Sequence, residues 1–319
     1  MTLLALLFMG YLLSSQWQEL ATHQWSLNGG WLALSALGLA AAWAVEVALW
    51  WLLLRLIGGR IPYWAAVRIW FLSAVVRYIP GNVWQPLSMT LQAGRWGVRP
   101  EITLPSIALY QLTIVLATAP IAALYVGATG NWGLLTQWLG PWTAWLAALA
   151  MLPVLLFLLR PVWLIEIFNW VLVRVGRQPL IAQLSRGMLL LLLLIAMLDW
   201  LLWGAAFAAL AFAVTAFSPD EMRALLPHLV AAYSVAYTIG FLSIVTPSGL
   251  GVREGAFYLI LAPVMGGGIV TVTALAMRLC TTLGELVAAG GALLLHDSPA
   301  PALSDGAAMT EPGPAPAKQ

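Results

Sequence analysis

Long apolar runs recur along the whole chain and predict membrane-spanning helices. A hydrocarbon core about 30 Å thick needs about 20 consecutive apolar residues in each crossing helix. The predicted spans are Thr2–Gln18, Trp31–Ile57, Leu104–Gly127, Trp138–Leu159, Gly187–Phe217, Pro227–Thr246, Val252–Pro263 and Ile269–His296. The first and seventh of these runs are short for a full crossing. The pattern therefore predicts an all-α polytopic membrane bundle with about eight spans.

Arginine is distributed unevenly between the connecting segments. Six arginines lie in Arg55–Arg99 and four in Arg160–Arg186, whereas Gln18–Gly30 and Ala128–Gln137 contain no lysine or arginine. Cytoplasmic loops carry the excess of Lys and Arg, so both termini and both arginine-rich segments are expected in the cytoplasm. The first run has no cationic residue before it and no clear small-residue cleavage site, so it is expected to be retained.

Two further segments are not predicted to span. Residues 161–184 mix aromatic and aliphatic residues with charges, which is typical of a helix lying in the cytoplasmic interface. Residues 298–319 are rich in Pro, Ala, Gly and Ser and are predicted to form a disordered cytoplasmic tail. A single transmembrane domain is thus expected over residues 1–297.

A first break in the helical pattern lies within the apolar stretch Ile61–Val98. Pro80 lacks a backbone donor and disfavours helix at the preceding residue, and Gly81 permits left-handed torsions. One helix should end near Tyr78 and a second should begin near Asn82. Because both ends of the stretch fall in cytoplasmic regions, a re-entrant hairpin is predicted, lining a wet cavity or buried in protein.

A second break lies at Thr246–Glu254, where a Pro/Gly motif precedes a helix expected from Val252. The triplet Phe-Leu-Ser precedes both breaks, at residues 71–73 and 241–243. This shared pattern is compatible with an internal repeat, with halves of about 1–160 and 187–297. Transporters often build their sites from paired broken helices at a repeat interface.

The two breaks offer the chemistry of an anion site. A helix N-terminus has free N–H groups and partial positive charge, and arginine suits phosphate geometrically. The alternative is that the breaks are structural kinks and the arginines snorkel to headgroups. The candidate headgroup-binding residues are Arg77, Pro80, Gly81, Asn82, Gln85, Arg95, Pro247, Gly249, Gly251, Arg253 and Glu254.

Ionisable residues inside predicted spans are the second group of candidates, because they are costly in lipid. The intramembrane polar residues of interest are Glu46, Asp199, Arg278, Thr281, Thr282 and Glu285. The last four form one stripe on a helix, which should face a cavity or another helix. Asp199 could pair with Arg278. The alternative reading is that these residues pair only to hold the bundle together.

Composition excludes several functional classes. Of 319 residues, 62% are hydrophobic and 8% charged, against roughly 45–50% and 25% in soluble proteins. A soluble enzyme is therefore a poor interpretation. The net charge of +2 indicates no nucleic-acid partner, and the single Cys280 excludes an internal disulfide. No catalytic motif, metal site or cofactor is predicted.

Two motifs resemble those of a known family. Residues 77–84, with Arg95 and Gly97 downstream, and residues 247–255 resemble the signatures of the lysylphosphatidylglycerol synthetase transmembrane-region, or flippase-like, membrane proteins. Arg278 in the last helix also fits. The resemblance differs at Trp84-Gln85, where many members carry Gly-Glu, which leaves an acidic role there in doubt.

The resemblance implies a helical bundle with re-entrant helices that acts as a lipid-flipping module. Well-understood members fuse it to a soluble aminoacyl-transfer domain, which this sequence lacks, so lysyl transfer is not expected. Other stand-alone members are associated with export of lipids, including hopanoids and lipid-linked sugars.

The leading functional prediction is a bacterial inner-membrane, flippase-like lipid transporter, not an enzyme. Its partners would be membrane lipids and envelope-lipid biosynthesis enzymes. The alternatives are a membrane enzyme acting on a lipid-linked substrate, or an accessory subunit of an envelope-lipid export complex.

Overall fold

The computed structural model describes residues 14, 21–23, 25–79, 83–130, 132, 136, 140–243, 249 and 251–295. Ten α-helices lie wholly within these residues. They are α1 (Gly29–Leu56), α2 (Tyr63–Ala74), α3 (Trp84–Gly94), α4 (Pro100–Thr129), α5 (Thr143–Leu159), α6 (Val162–Arg174), α7 (Arg186–Val214), α8 (Pro219–Leu242), α9 (Val252–Met265) and α10 (Gly267–Leu294). The described residues contain no β-strand, only an isolated bridge between Trp25 and Thr215. The all-α prediction is confirmed.

Six segments of the described chain are long and apolar enough to cross a membrane. They are Gly29–Leu56, Pro100–Thr129, Gly140–Leu159, Arg186–Val214, Pro219–Leu242 and Gly267–Leu294. The predicted span Thr2–Gln18 lies outside the described residues apart from Ser14. The predicted short span at Val252 corresponds to α9, whose 14 residues extend about 21 Å at 1.5 Å per residue. This is shorter than a hydrocarbon core, as its sequence indicated.

The start of α8 differs most from the sequence-based boundary. The apolar pattern places it at Pro227, whereas the helix begins at Pro219. Ser218 caps it: its hydroxyl accepts from the Glu221 N–H at 3.3 Å, and the Glu221 carboxylate accepts from the Ser218 N–H at 2.7 Å. This reciprocal capping box stabilises two extra helical turns. These turns are too polar for the apolar pattern to include them in a predicted span.

The first break forms a short helical hairpin. A 3₁₀ turn at Val75–Tyr78 continues α2, and α3 starts at Trp84, two residues later than expected. Hydroxyl and amide groups of Ser73, Ser88 and Gln92 link the two arms. Helices of 12 and 11 residues are too short to cross a bilayer, as predicted for a re-entrant segment. Pro80, Gly81 and Asn82 lie outside the described residues.

The second break separates α8 from α9. Gly249 and Gly251 both have positive φ, at 66° and 83°, a conformation that glycine adopts without strain. A Cβ at Gly249 would lie 3.0 Å from the Gly240 carbonyl oxygen, so the chain returns closely against α8. Pro247 lies outside the described residues.

Helix α7 lies at the centre of the bundle and packs against α1, α4, α8 and α10. Small residues allow close approach: a Cβ at Gly204 would lie 2.6 Å from the Val230 Cα. The Ser35 hydroxyl donates to the Ala206 carbonyl at 2.8 Å and joins α1 to α7. Small residues and interhelical hydrogen bonds are the usual means of helix association in lipid.

The predicted interfacial segment contains a helix, α6. It buries Leu164 and Ile165 while Ile167 and Trp170 are exposed, and the Arg174 guanidinium stacks 4.1 Å from the Trp170 ring centre. Its position in the membrane interface stays a prediction, as does the internal repeat. The predicted tail, residues 298–319, lies outside the described residues, as does all of the chain after Leu295.

Candidate functional site

A cavity of about 810 Å³ lies among α1, α4, α7, α8, α10 and the two breaks. Ten residues singled out in the sequence line it. They are Glu46, Arg77, Gln85, Asp199, Gly249, Arg253, Arg278, Thr281, Thr282 and Glu285. Residues far apart in the chain thus meet around one space, and the stripe on α10 faces it.

The polar groups of the cavity lie deep in the bundle. Glu46 is ten residues before the end of α1, and Tyr110 is ten residues after the start of α4. Glu285 is nine residues before the end of α10. At 1.5 Å per residue these positions are roughly 15 Å from the helix ends, which is about half the thickness of a hydrocarbon core.

The 3₁₀ turn after α2 directs Arg77 towards α10. Its guanidinium forms an ion pair with Glu285 at 3.2 Å, and Glu285 is 5% exposed. The hairpin of the first break is thereby joined to the last helix by charge. The same ion pair places a guanidinium at the cavity wall.

Glu254 organises the second break. Its Oε1 accepts from Arg278 at 3.0 Å and contacts Arg253 at 3.5 Å, while its Oε2 accepts from the Gly251 N–H at 2.8 Å. The sequence predicts that the N–H groups at the start of this helix are free to bind an anion. The structure differs, because the Glu254 carboxylate already accepts the hydrogen bond from the Gly251 N–H. The same carboxylate holds the Arg253 and Arg278 guanidiniums in place.

Arg253 presents a partly unsatisfied guanidinium at this break. Its side chain is 14% exposed and packs against Gly240, where a Cβ would lie 3.0 Å from the Arg253 Cβ. Its buried Nε has no hydrogen-bond partner among the described residues. A buried polar group without a partner is costly, so a ligand oxygen at this position would be stabilised.

Two carboxylates, Glu46 and Asp199, also line the cavity and form what we call its acidic wall. Glu46 accepts a 2.6 Å hydrogen bond from the Tyr110 hydroxyl. Asp199 is 2% exposed, and its Oδ1 has no hydrogen-bond partner in the described part of the chain. Asp199 does not pair with Arg278 there, since Arg278 binds Glu254 instead.

Aromatic residues that sequence reasoning did not single out complete this wall. Trp203 and Tyr233 stack with ring centres 5.6 Å apart, and Trp70 meets Tyr110 edge-on at 5.1 Å. Tyr237 also lines the cavity, one turn from Tyr233. The i, i+4 tyrosine pair in an apolar helix was an available signal. Gln111 was also missed, and its buried Nε2 lacks a partner among the described residues.

The cavity reaches the surface of the bundle. Leu104, Phe241 and Leu242 line it, and their exposed fractions are 48%, 45% and 62%. Residues that both line a cavity and face outwards mark its opening, which lies between the start of α4 and the end of α8. The rim is apolar, so acyl chains could occupy it.

Several predicted site residues lie elsewhere. Arg95 is exposed at the end of α3 and does not line the cavity. Gly251 and Glu254 do not line it either, although Glu254 contacts two arginines that do. Pro80, Gly81, Asn82 and Pro247 fall outside the described residues. The cavity therefore includes the arginines of both breaks without Arg95.

Comparison with known proteins gives one family. No curated protein matches the chain. The family model described as lysylphosphatidylglycerol synthase TM region matches residues 2–289. This match confirms the resemblance seen in the two motifs. The chain therefore belongs to the lysylphosphatidylglycerol synthase TM-region family of membrane proteins.

Proposed function

We propose that this protein moves an amphipathic lipid with a polar or anionic headgroup from one leaflet to the other. The observation that carries the proposal is the cavity, in which three arginines and an apolar rim that opens at the surface of the bundle line the same space. Such a space suits a molecule with a charged head and apolar tails. Transport leaves the lipid chemically unchanged, so we do not propose an enzyme.

The headgroup phosphate would bind at the arginine wall of the cavity, which consists of Arg77, Arg253 and Arg278. Arg253 offers its unpartnered Nε, and Arg77 and Arg278 add positive charge within the same cavity. Glu254 fixes the guanidiniums, which reduces the entropy lost on binding. The tails would remain in the bilayer through the rim at Leu104 and Phe241. Rearrangement of the broken helices would then expose the headgroup to the opposite side.

The arginine distribution gives the direction in which the cavity faces. By the positive-inside rule, the segments around Arg60 and Arg186 are cytoplasmic, as are both termini. The cavity opening is near the start of α4 and so faces the cytoplasmic leaflet. We accordingly propose a bacterial inner-membrane protein that receives lipid from the cytoplasmic side, where enzymes of envelope-lipid synthesis would supply it.

Leaflet exchange in liposomes tests the proposal. The purified protein is reconstituted with fluorescent phosphatidylglycerol, and dithionite quenching measures exchange between leaflets. Wild type should accelerate exchange, and Arg253→Gln should reduce the protein-dependent rate at least tenfold, because it removes a buried charge that contacts phosphate. Arg95→Gln is the matched control, since Arg95 is exposed outside the cavity, and should exchange like wild type.

Other outcomes would point to the alternatives. Folded wild type that exchanges no lipid across several headgroups contradicts transport by the chain alone. A new lipid product under the same conditions would favour an enzyme acting on a lipid-linked substrate. Equal activity of Arg253→Gln and wild type would remove the arginine wall from the lipid path.

A further inference from the structure

The acidic wall of the cavity has no role in binding phosphate. Glu46 on α1 and Asp199 on α7 face the same space as the arginines and lie close enough to interact electrostatically. Neither forms an ion pair with the described residues; Glu46 accepts only the Tyr110 hydroxyl, and Asp199 Oδ1 has no partner there. Two ionised carboxylates in this position would also repel an approaching phosphate.

An isolated carboxylate at this depth cannot stay charged without compensation. Burial of an unpaired charge away from water costs several kcal/mol or more, and Asp199 is 2% exposed. Either a proton or another cation must neutralise it. The titratable and charged groups that face the acidic pair are Arg77, Tyr110, Tyr233, Tyr237 and Glu285.

The surroundings favour a proton over a metal ion. A metal ion would need several oxygen ligands, but α7 is unbroken from Arg186 to Val214, so its carbonyls around Asp199 are committed to the helix. The described residues hold no group of three or more His, Cys, Asp or Glu side chains arranged for a metal. The unpartnered Oδ1 of Asp199 requires only one proton.

The charges of the cavity can sum to zero both without lipid and with a bound phosphodiester, but the two states differ by one proton. Arg77, Arg253 and Arg278 carry three positive charges, and Glu254 and Glu285 carry two negative charges in ion pairs with them. One ionised carboxylate in the acidic pair then makes the empty site neutral. A bound phosphodiester adds one negative charge, and neutrality returns only when the last carboxylate takes up a proton. Neutrality is strongly favoured in a low-dielectric interior.

We propose that Glu46 and Asp199 form a proton-binding site coupled to lipid binding, so that one proton enters the cavity with each phosphodiester headgroup. This inference rests on the proposed function and adds to it that the headgroup and one proton occupy the cavity together, as an electrically neutral pair. Glu46 is the group that gains the proton on loading, because phosphate at the arginine wall offsets the attraction of Arg77 for the Glu46 carboxylate.

Calorimetry can count this proton directly. Dihexanoyl phosphatidylglycerol is titrated into the full-length protein in buffers of different ionisation enthalpy at pH 7. Wild type should take up about one proton per bound lipid, and its affinity should fall by up to tenfold per pH unit through the alkaline range, as linkage requires. Glu46→Gln/Asp199→Asn should bind the lipid with no proton uptake and no pH dependence. Retained binding shows that this variant is folded.

Glu166→Gln is the matched control, because Glu166 is an exposed carboxylate on α6 outside the cavity, and it should take up the proton like wild type. Wild type that binds lipid without proton uptake between pH 6 and pH 8 overturns the inference and leaves the proposed function standing. Tighter binding of dihexanoyl phosphatidylethanolamine, without uptake, also overturns it and assigns the acidic pair to a headgroup ammonium. A wild type that binds neither lipid removes both proposals.

Discussion

At the scale of single residues, Glu254 determines where the cavity's positive charge lies. It is 4% exposed, and it joins Arg253, Arg278 and the start of α9. Removing one partner of a buried ion pair leaves an uncompensated charge, which costs far more than losing a surface pair. The residue therefore acts on the site through the arginines and is a positioning residue.

Glu254→Gln should destabilise the protein and weaken lipid exchange together. The amide still accepts from Gly251 but no longer neutralises Arg253 and Arg278, so we expect a loss of about 3–5 kcal/mol, measured by chemical unfolding in detergent. Glu166→Gln removes an exposed carboxylate and should change stability by less than about 0.5 kcal/mol. Equal stability of the two variants would show that Glu254 does not hold the arginines.

Sequence reasoning recovered the charged residues of the site better than their partners. Glu46, Asp199 and Arg278 stand out because charge is rare in apolar helices. Their contacts depend on how helices distant in the sequence pack together. The sequence therefore suggested Asp199 as the partner of Arg278, whereas in the structure the partner is Glu254. Tyr233 and Tyr237 were missed because an aromatic residue in an apolar helix is equally compatible with core packing.

At the scale of elements, one glycine of the last helix makes room for a tryptophan of α1. A Cβ at Gly284 on α10 would lie 2.9 Å from the Trp43 Cζ3. The Trp43 ring cannot easily move, because it meets Phe71 and Trp203 edge-on at 5.8 and 6.1 Å. The helix–break–helix pattern was readable from Pro and Gly, but this contact was not, since it joins residues on separate helices.

Gly284→Ala should therefore loosen the bundle. Overpacking of a tight contact costs typically about 1–3 kcal/mol, and a lower thermal midpoint in detergent would report it. The matched control is Gly290→Ala, six residues along the same helix, where a new Cβ meets nothing within 4 Å. Alanine has the higher helix propensity, so this control should be neutral or slightly stabilising. A stable Gly284→Ala protein would contradict a tight contact between the Trp43 ring and Gly284.

At the scale of the whole molecule, one helix separates two environments. Helix α10 presents Thr282 to the cavity and the adjacent Leu283, 53% exposed, to the outside of the bundle. The polar stripe in the sequence predicts that α10 has one polar and one apolar face. That the polar face lines a cavity could not be predicted, because the cavity exists only once the helices have assembled.

Thiol labelling tests this division together with the orientation. In a Cys280→Ser background, Thr282→Cys should react with a membrane-impermeant thiol reagent added from the cytoplasmic side, because the cavity is polar and its opening lies near the arginine-rich segments. Leu283→Cys, one position along the same helix, should stay unreactive, because its face contacts lipid and a thiolate does not form there. Reaction of Thr282→Cys only from the opposite side would reverse the proposed orientation. Equal reaction at both positions would contradict a lipid-facing outer surface for α10, and no reaction at either would contradict a water-accessible cavity.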